Sequence, residues 1–429
     1  MWPALPASAG VTGVTTPPPS ARAGTTFSFR PWLSAGGRLV AFDSDSAALV
    51  ARDTNRARDI FVHDREQRTM QRISLGPGGA EADDDSQRPT LSADGRYVAF
   101  WSEATNLVED DTNGVADAFV HDRAEGTIRR VSVGPSGAEA DGASARPVIS
   151  ADGRFVAFES AARNLLPPAL LGRRTDTNGV RDVFVHELAT AETTRVSVTS
   201  EGTQGEGESL RPTISGDGSL VAFQSSARLA PDDGNTARDV YVHNRTTGRT
   251  TLISAGPDGE AGTAGSFSPS ISAGGDVVAF WSNASNLVAG DANGRSDIFV
   301  HELATGATSR VSVTSAGAEA DGDSSDPSVS PDGRYVSFWS EATDLVGGDT
   351  NGMRDVFLHD RVASSTVRVS TASDGRQANG DSFSPNVTGG AEGVAVVAFD
   401  SKATNLVDGD RNRGSDVFVA HHRRGRSRW

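Results

Sequence analysis

Short apolar runs separated by polar, turn-rich stretches recur along the whole chain. One such stretch opens at Arg88 and reads RPTLSADGRYVAFWSEATNLVEDDTNGVADAFVHDRAEGTIRRVSVGPSGAEADGAS. Its apolar positions fall into four segments, which we read as β-strands. Pro89 to Ser92 is the first, and Ala93-Asp94-Gly95-Arg96 then supplies the Asp-Gly pair that favours a tight hairpin turn. Tyr97 to Trp101 is the second, nearly continuous in apolar residues, as expected of a strand covered on both faces. Ala118 to His121 forms the third, Asp122 to Gly126 turns, and Ile128 to Val133 forms the fourth. No segment sustains a 3.6-residue apolar period, apart from a single helical turn expected at Ser102 to Leu107.

The same four-strand pattern repeats. The proline of a P-x-[hydrophobic]-S/T motif stands at Pro31, Pro89, Pro147, Pro212, Pro269, Pro327 and Pro385, at spacings of 58, 58, 65, 57, 58 and 58. The long interval carries extra residues around Pro167 to Arg174. Seven four-stranded units cannot each cover both faces alone, but stacked around an axis they cover one another. The expected fold is therefore all-β, a seven-bladed β-propeller of four-stranded antiparallel blades. A stack of β-sandwich domains would need about 100 residues per unit. The repeats start near residues 30, 88, 146, 211, 268, 326 and 384, so residues 29–429 form the propeller and 1–28 a leader. The seventh copy lacks a fourth strand after Phe418-Val419. By the repeat spacing, Val11-Thr12-Gly13-Val14-Thr15 lies where that strand belongs and is expected to close the ring; Arg426 to Trp429 is the competing closure.

The recurring S-A-D-G-R-Y-V-A-F box, at Ser92 to Phe100, Ser150 to Phe158 and in variant form at Ser330 to Phe338, resembles the repeat of TolB-type, WD-repeat-like propellers. The later D-V-F-V-H-D segment fits that family's third strand. The resemblance covers about 400 residues and only the propeller part of the family. It implies a periplasmic setting and action by protein–protein contact. Fold alone does not carry function.

Charge and composition narrow the partners. The net charge is −16 and the pI about 4.9, which is unsuited to a nucleic-acid-binding surface. With no cysteine, disulfides and thiolate metal sites are excluded. No apolar run reaches the 18 or so residues of a membrane-spanning helix. Ala7-Ser8-Ala9 resembles the small-residue box of an export signal, although no basic start or apolar run precedes it. We expect a periplasmic or extracellular location, with the cytoplasm as the alternative, and a monomer.

Candidate chemistry lies where loops are long. Two of the four connections per repeat, between strands two and three and from strand four to the next blade, emerge on one face, and long loops on a rigid scaffold commonly carry binding. The first of them reads D-x-N-x-x-x-D in every copy: Asp53, Asn55 and Asp59; Asp111, Asn113 and Asp117; Asp176, Asn178 and Asp182; Asp233, Asn235 and Asp239; Asp291, Asn293 and Asp297; Asp349, Asn351 and Asp355; Asp410, Asn412 and Asp416. Oxygen ligands at alternate positions suit a hard cation such as Ca²⁺, and the pattern resembles the calcium loop of FG-GAP repeats without its middle acid. The alternative is structural, an Asx-turn that caps the entry to strand three. Seven histidines also follow the period and are expected to make inter-blade hydrogen bonds.

Two variable positions are candidate ligand contacts. Immediately before the repeat proline stand Arg30, Arg88, Arg146 and Arg211, then Ser268, Asp326 and Ser384. If strand one lines a central channel, four guanidiniums gather at one side of its mouth and suit a carboxylate, sulfate or phosphate; pairing with loop carboxylates is the alternative. After the strand-two phenylalanine come Asp43, Trp101, Glu159, Gln224, Trp281, Trp339 and Asp400, where Trp101, Trp281 and Trp339 offer stacking surfaces for a sugar or peptide. No catalytic residue is assigned. The expected function is a non-catalytic binding or scaffold propeller that contacts a protein or a cell-envelope glycan through its loop-rich face, with calcium as a candidate stabiliser. The alternative is a secreted propeller glycosidase or lyase acting on polysaccharide.

Overall fold

A computed structural model of the chain describes residues 10–15, 26–167, 176–390, 393–412 and 414–423. Its strands form seven four-stranded antiparallel sheets, and no α-helix occurs among the described residues. In blade two the strands are Ser86–Leu91, Tyr97–Ser102, Asp117–Asp122 and Thr127–Arg130, paired in that order. The first strands of successive blades touch one another around the ring, and Ser28–Leu33 of blade one meets Ser382–Gly389 of blade seven. They therefore line a central channel, and the sheets radiate outward from it.

Blade seven is assembled from both ends of the chain. Ser382–Gly389, Val394–Ser401 and Asp416–Arg423 are joined on the outer edge by Val11–Gly13. In this antiparallel pairing Val11 faces Ala420, Thr12 faces Val419 and Gly13 faces Phe418. Val14 N–H continues the ladder to the Val417 carbonyl at 2.8 Å. Ala7 to Ala9, the extra residues at 168–174 and Arg426 to Trp429 lie outside the described residues.

The apolar runs read from the sequence form the core for a geometric reason. Strand two is covered by a neighbouring blade on each side, so Val98, Ala99 and Phe100 are all fully buried. Each blade stacks an aromatic of strand two on one of strand three, from Phe42–Phe61 with centroids 5.8 Å apart to Phe223–Tyr241 at 6.1 Å. Burying each such ring contributes about 1.5–3 kcal/mol. The apolar clusters span blade boundaries: Ala41, Ile60 and Val62 of blade one pack with Val98, Phe100 and Phe119 of blade two.

Two local expectations change. The turn expected at Ser102 to Leu107 is a run of bends. The Asp83 carboxylate accepts hydrogen bonds from Thr105 N–H and Oγ1, both at 2.7 Å, and Ser102 Oγ accepts from Ala104 N–H at 3.1 Å, so side chains replace the helical pattern. The fourth strand ends at Arg130, because Val131 N–H turns inward to the Ala118 carbonyl at 2.8 Å.

Candidate functional site

The residue before each repeat proline sits in a β-bulge of strand one. In blade one Phe29 pairs with Asp43 and Trp32 with Ala41, so Arg30 and Pro31 together oppose Phe42. All seven bulge residues adopt left-handed backbone, with φ of 52° at Arg30, 54° at Arg88, 51° at Arg146 and 52° at Arg211. For a non-glycine residue this costs about 1–2 kcal/mol, and the bulge re-aims its side chain. The result is a ring of seven side chains around the channel, four of them arginines.

Above this ring, on the loop-rich face, lies a cavity of about 870 Å³ over blades two to five. Arg88, Arg146, Arg211 and Ser268 line it together with Trp101, Trp281 and Phe267, and its lining brings five arginines against four carboxylates in a protein of net charge −16. Their pairing is uneven. Arg146 lies 3.5 Å from Glu159, Arg211 reaches Ser268 Oγ at 2.6 Å and Asp326 at 3.4 Å, and Arg30 lies 3.8 Å from Asp43. The Arg88 guanidinium has no hydrogen-bond or ion-pair partner among the described residues. Burial, followed by the charges of Arg146, Arg30 and Arg211, pushes it down to about 9. It stays cationic at neutral pH, opposed only through space by Asp43, with no carboxylate in contact with it among the described residues.

The variable position after the strand-two phenylalanine does two different things. Where it is an acid or amide, it reaches the next blade and accepts the backbone N–H of the bulge: Asp400 from Arg30 at 3.2 Å, Asp43 from Arg88 at 3.2 Å, Glu159 from Arg211 and Gln224 from Ser268, both at 2.8 Å. These side chains are committed to inter-blade bonding, which corrects their reading as free ligand contacts beside the indoles. Where it is tryptophan no acceptor exists, and the indole faces the mouth. Trp101 and Trp281 line the cavity with buried, unpartnered Nε1–H groups, and Trp281 stacks on Phe267 at 4.4 Å. Trp339 stands apart: its Nε1 donates to Asp326 at 3.3 Å and Arg354 lies over its ring at 4.9 Å.

Sequence reasoning missed a second arginine position, immediately before the strand-three aspartate. Arg181 pairs with Glu159 at 3.2 Å, Arg238 with Glu208 at 3.3 Å and Arg58 with Asp43 at 3.6 Å. The signal was present, since this position also varies from blade to blade.

In the D-x-N-x-x-x-D loops, the asparagine side chain ties the loop to its surroundings. Asn55 Nδ2 donates to Asp59 at 3.1 Å and to the Ala82 carbonyl at 3.0 Å, and its Oδ1 accepts Ala57 N–H at 3.2 Å. The two aspartates converge on an arginine at the end of strand four. Arg72 Nη1 lies 3.2 Å from Asp53, 3.3 Å from Asp59 and 2.9 Å from Glu81. Arg130, Arg195, Arg310 and Arg368 repeat the arrangement in blades two, three, five and six. A guanidinium thus stands among the carboxylates in five of the seven loops. Burial pushes Asp53, Asp111 and Asp176 up to about 6. Among the described residues, no group of three or more His, Asp or Glu side chains is arranged to hold a metal ion. The arginine was legible at a fixed 13 residues after the second aspartate.

His186, His243, His301 and His359 bond within their own blades rather than across the boundary, whereas the Nδ1 atoms of His63 and His121 are buried without a partner. His243 Nδ1 meets Thr250 Oγ1 at 2.9 Å, and that hydroxyl donates to the Val198 carbonyl of blade three at 2.5 Å. Threonine makes the inter-blade link. His421 is different, accepting directly from Arg65 of blade one at 2.6 Å.

No model of a known protein family matches this chain, and no curated protein matches it. Solved structures do. An oligogalacturonate lyase in complex with manganese aligns over 96% of this chain and 92% of its own at 14% identity, with a TM-score of 0.53. TolB from Acinetobacter baumannii aligns over 80% of this chain at 15% identity and a TM-score of 0.42, and the match spans 63% of TolB. A prolyl endopeptidase aligns over 92% of this chain and 49% of its own at 14% identity and a TM-score of 0.47. The strand topology defines the class, a seven-bladed β-propeller, and at 14% identity the similarity to the lyase structure is one of fold alone.

Proposed function

We propose that this chain is a non-catalytic binding propeller whose loop-rich mouth takes an anionic group, carried by a protein or a cell-envelope glycan. The observation that carries the reading is Arg88, a guanidinium without a partner, crowded by three other arginines at the floor of a cavity of about 870 Å³. Holding like charges together there is unfavourable unless an anion compensates them. Trp101, and Trp281 backed by Phe267, add flat apolar walls suited to a sugar ring or an aromatic side chain. The described lining contains no histidine, lysine or tyrosine, and Glu159 is held by Arg146, Arg181 and the Arg211 N–H, which supports binding over catalysis. The TolB-like repeat box supports a periplasmic or extracellular place.

Calorimetry with acidic oligosaccharides and acidic peptides, each beside its neutral analogue, tests this. Arg88→Gln is expected to weaken the acidic ligand at least tenfold, the equivalent of about 1.4 kcal/mol, and leave the neutral one unchanged. Equal binding of acidic and neutral ligands, or of Arg88→Gln and the parent, would reject the reading. Polysaccharide cleavage abolished by Glu159→Gln would establish the lyase or glycosidase alternative.

A further inference from the structure

Trp101, Trp281 and Trp339 hold the same register position in blades two, five and six, but their indole N–H groups meet different neighbours. They pair across the sheet with Gln87, Phe267 and Ser325, the residues just before the bulge. The bulge residue that follows is placed alike in each blade: Arg88, Ser268 and Asp326, with φ of 54°, 48° and 48°.

Blade six shows what this position does when it carries an acceptor. Asp326 Oδ2 accepts the Trp339 Nε1–H at 3.3 Å, and Asp326 Oδ1 accepts from Arg211 Nη1 at 3.4 Å. One planar carboxylate thus joins an indole N–H to a guanidinium, with one oxygen for each. Blade two holds the same two kinds of donor without the acid. Trp101 Nε1 is buried with no hydrogen-bond partner, and the Arg88 guanidinium, which lines the same cavity, has none among the described residues. A buried N–H is costly to leave unpaired, and a guanidinium fork matches a carboxylate. Blade five has only half of the pair. Trp281 Nε1 is also unpartnered, but its bulge residue is Ser268, whose hydroxyl already accepts from Arg211 at 2.6 Å.

We propose that the mouth contains a carboxylate subsite in blade two, where a ligand carboxylate accepts from Trp101 Nε1–H and from the Arg88 guanidinium as Asp326 does from Trp339 and Arg211. The subsite rests on the reading of the mouth as an anion site, and it narrows that anion to a carboxylate, borne by a uronic acid or by an acidic side chain. Trp101 Nε1 is shielded from solvent, so the Arg88 side chain, which no hydrogen bond or ion pair holds among the described residues, turns aside to admit the ligand.

The test is NMR of the full chain with isotope-labelled tryptophan, in which each indole N–H gives its own signal, titrated with sodium acetate against sodium chloride at equal ionic strength. Trp101→Phe identifies the Trp101 signal. That signal is expected to move downfield and saturate with acetate, while those of Trp281 and Trp339 stay in place. Arg88→Asp transfers the blade-six arrangement: the Trp101 signal should lie downfield without acetate and respond to it no further. Arg88→Gln, which serves if that variant fails to fold, should weaken acetate at least tenfold. Glucuronate and N-acetylglutamate then present the group on a sugar and on an acidic side chain, and the one that saturates the Trp101 signal at the lower concentration names the bearer. A Trp101 signal that acetate leaves in place, that moves only together with Trp281, or that responds to sulfate and not to acetate would overturn the subsite. The wider reading of the mouth survives such a result if acidic ligands still bind more tightly than their neutral analogues in calorimetry and still need Arg88; both fail together if they do not.

Discussion

Arg72 shows how a single side chain sets the character of a loop. It is 8% exposed and sits among Asp53, Asp59 and Glu81, so its removal strands carboxylates that burial already disfavours as anions. Arg72→Leu is expected to cost about 3–5 kcal/mol, the range for breaking a buried ion pair from one side. Blade four carries leucine at this position naturally and compensates with Tyr241. Phe61→Tyr in the Arg72→Leu background should therefore recover a measurable part of the loss, whereas Phe61→Tyr alone should not stabilise. Urea denaturation of the four proteins in this cycle gives the coupling directly; additive effects would count against the transfer of the blade-four solution.

At the level of strands, the N-terminal segment pairs with a strand some 400 residues away. It covers the edge of Asp416–Arg423, buries Val11 and positions Thr15, whose hydroxyl bonds both Asp416 and the Val417 N–H. Deleting residues 1–15 removes these contacts, worth about 3 kcal/mol or more, and exposes an unpaired strand edge that invites association. A Tm lower by about 3 °C or more, with concentration-dependent aggregation in light scattering, is the expected outcome. An unchanged Tm would mean that another segment covers that edge. Strand one carries the opposite lesson: its bulge is the same in every blade, but the residue placed on it differs, so one backbone device presents arginine on one side of the channel and serine or aspartate on the other.

Over the whole ring, opposing titrations shape the response to acid. Burial pushes His186, His243 and His359 down to about 4. Their folded pKa lies below the unfolded value near 6.5, so the stability they provide is complete above pH 6.5 and lost as pH falls through 4. Asp53, Asp111, Asp176 and Asp239 are pushed up to about 6 by burial. Their contribution has the reverse sign, present below the unfolded carboxyl value and lost as pH rises through 6. The two sets oppose one another between pH 6 and 4. Below pH 4, Asp64 and Asp122, held near 2 chiefly by hydrogen bonds from Arg38 and Arg96, lose their stabilising charge. Urea midpoints are therefore expected to change little from pH 6 to 4 and to fall steeply below. His243→Gln should tilt the plateau upward toward pH 4; a steep loss already at pH 5 in the parent would contradict the balance.

The repeat period, the four apolar runs per copy and the Asp-Gly turns were legible because each is a local pattern, and seven copies of a local pattern leave one way to cover the faces. The same spacing pointed to Val11–Thr15 as the segment in place for a missing strand. Which variable side chains meet was decided only in three dimensions. Arg88 and Arg211 are neighbours across a channel, Asp43 and Glu159 are consumed by the next blade's bulge, and Gly13 stands opposite Phe418. Composition and spacing carry no record of such contacts, because they arise from ring closure, which brings together residues separated by one blade, several blades or the whole length of the chain.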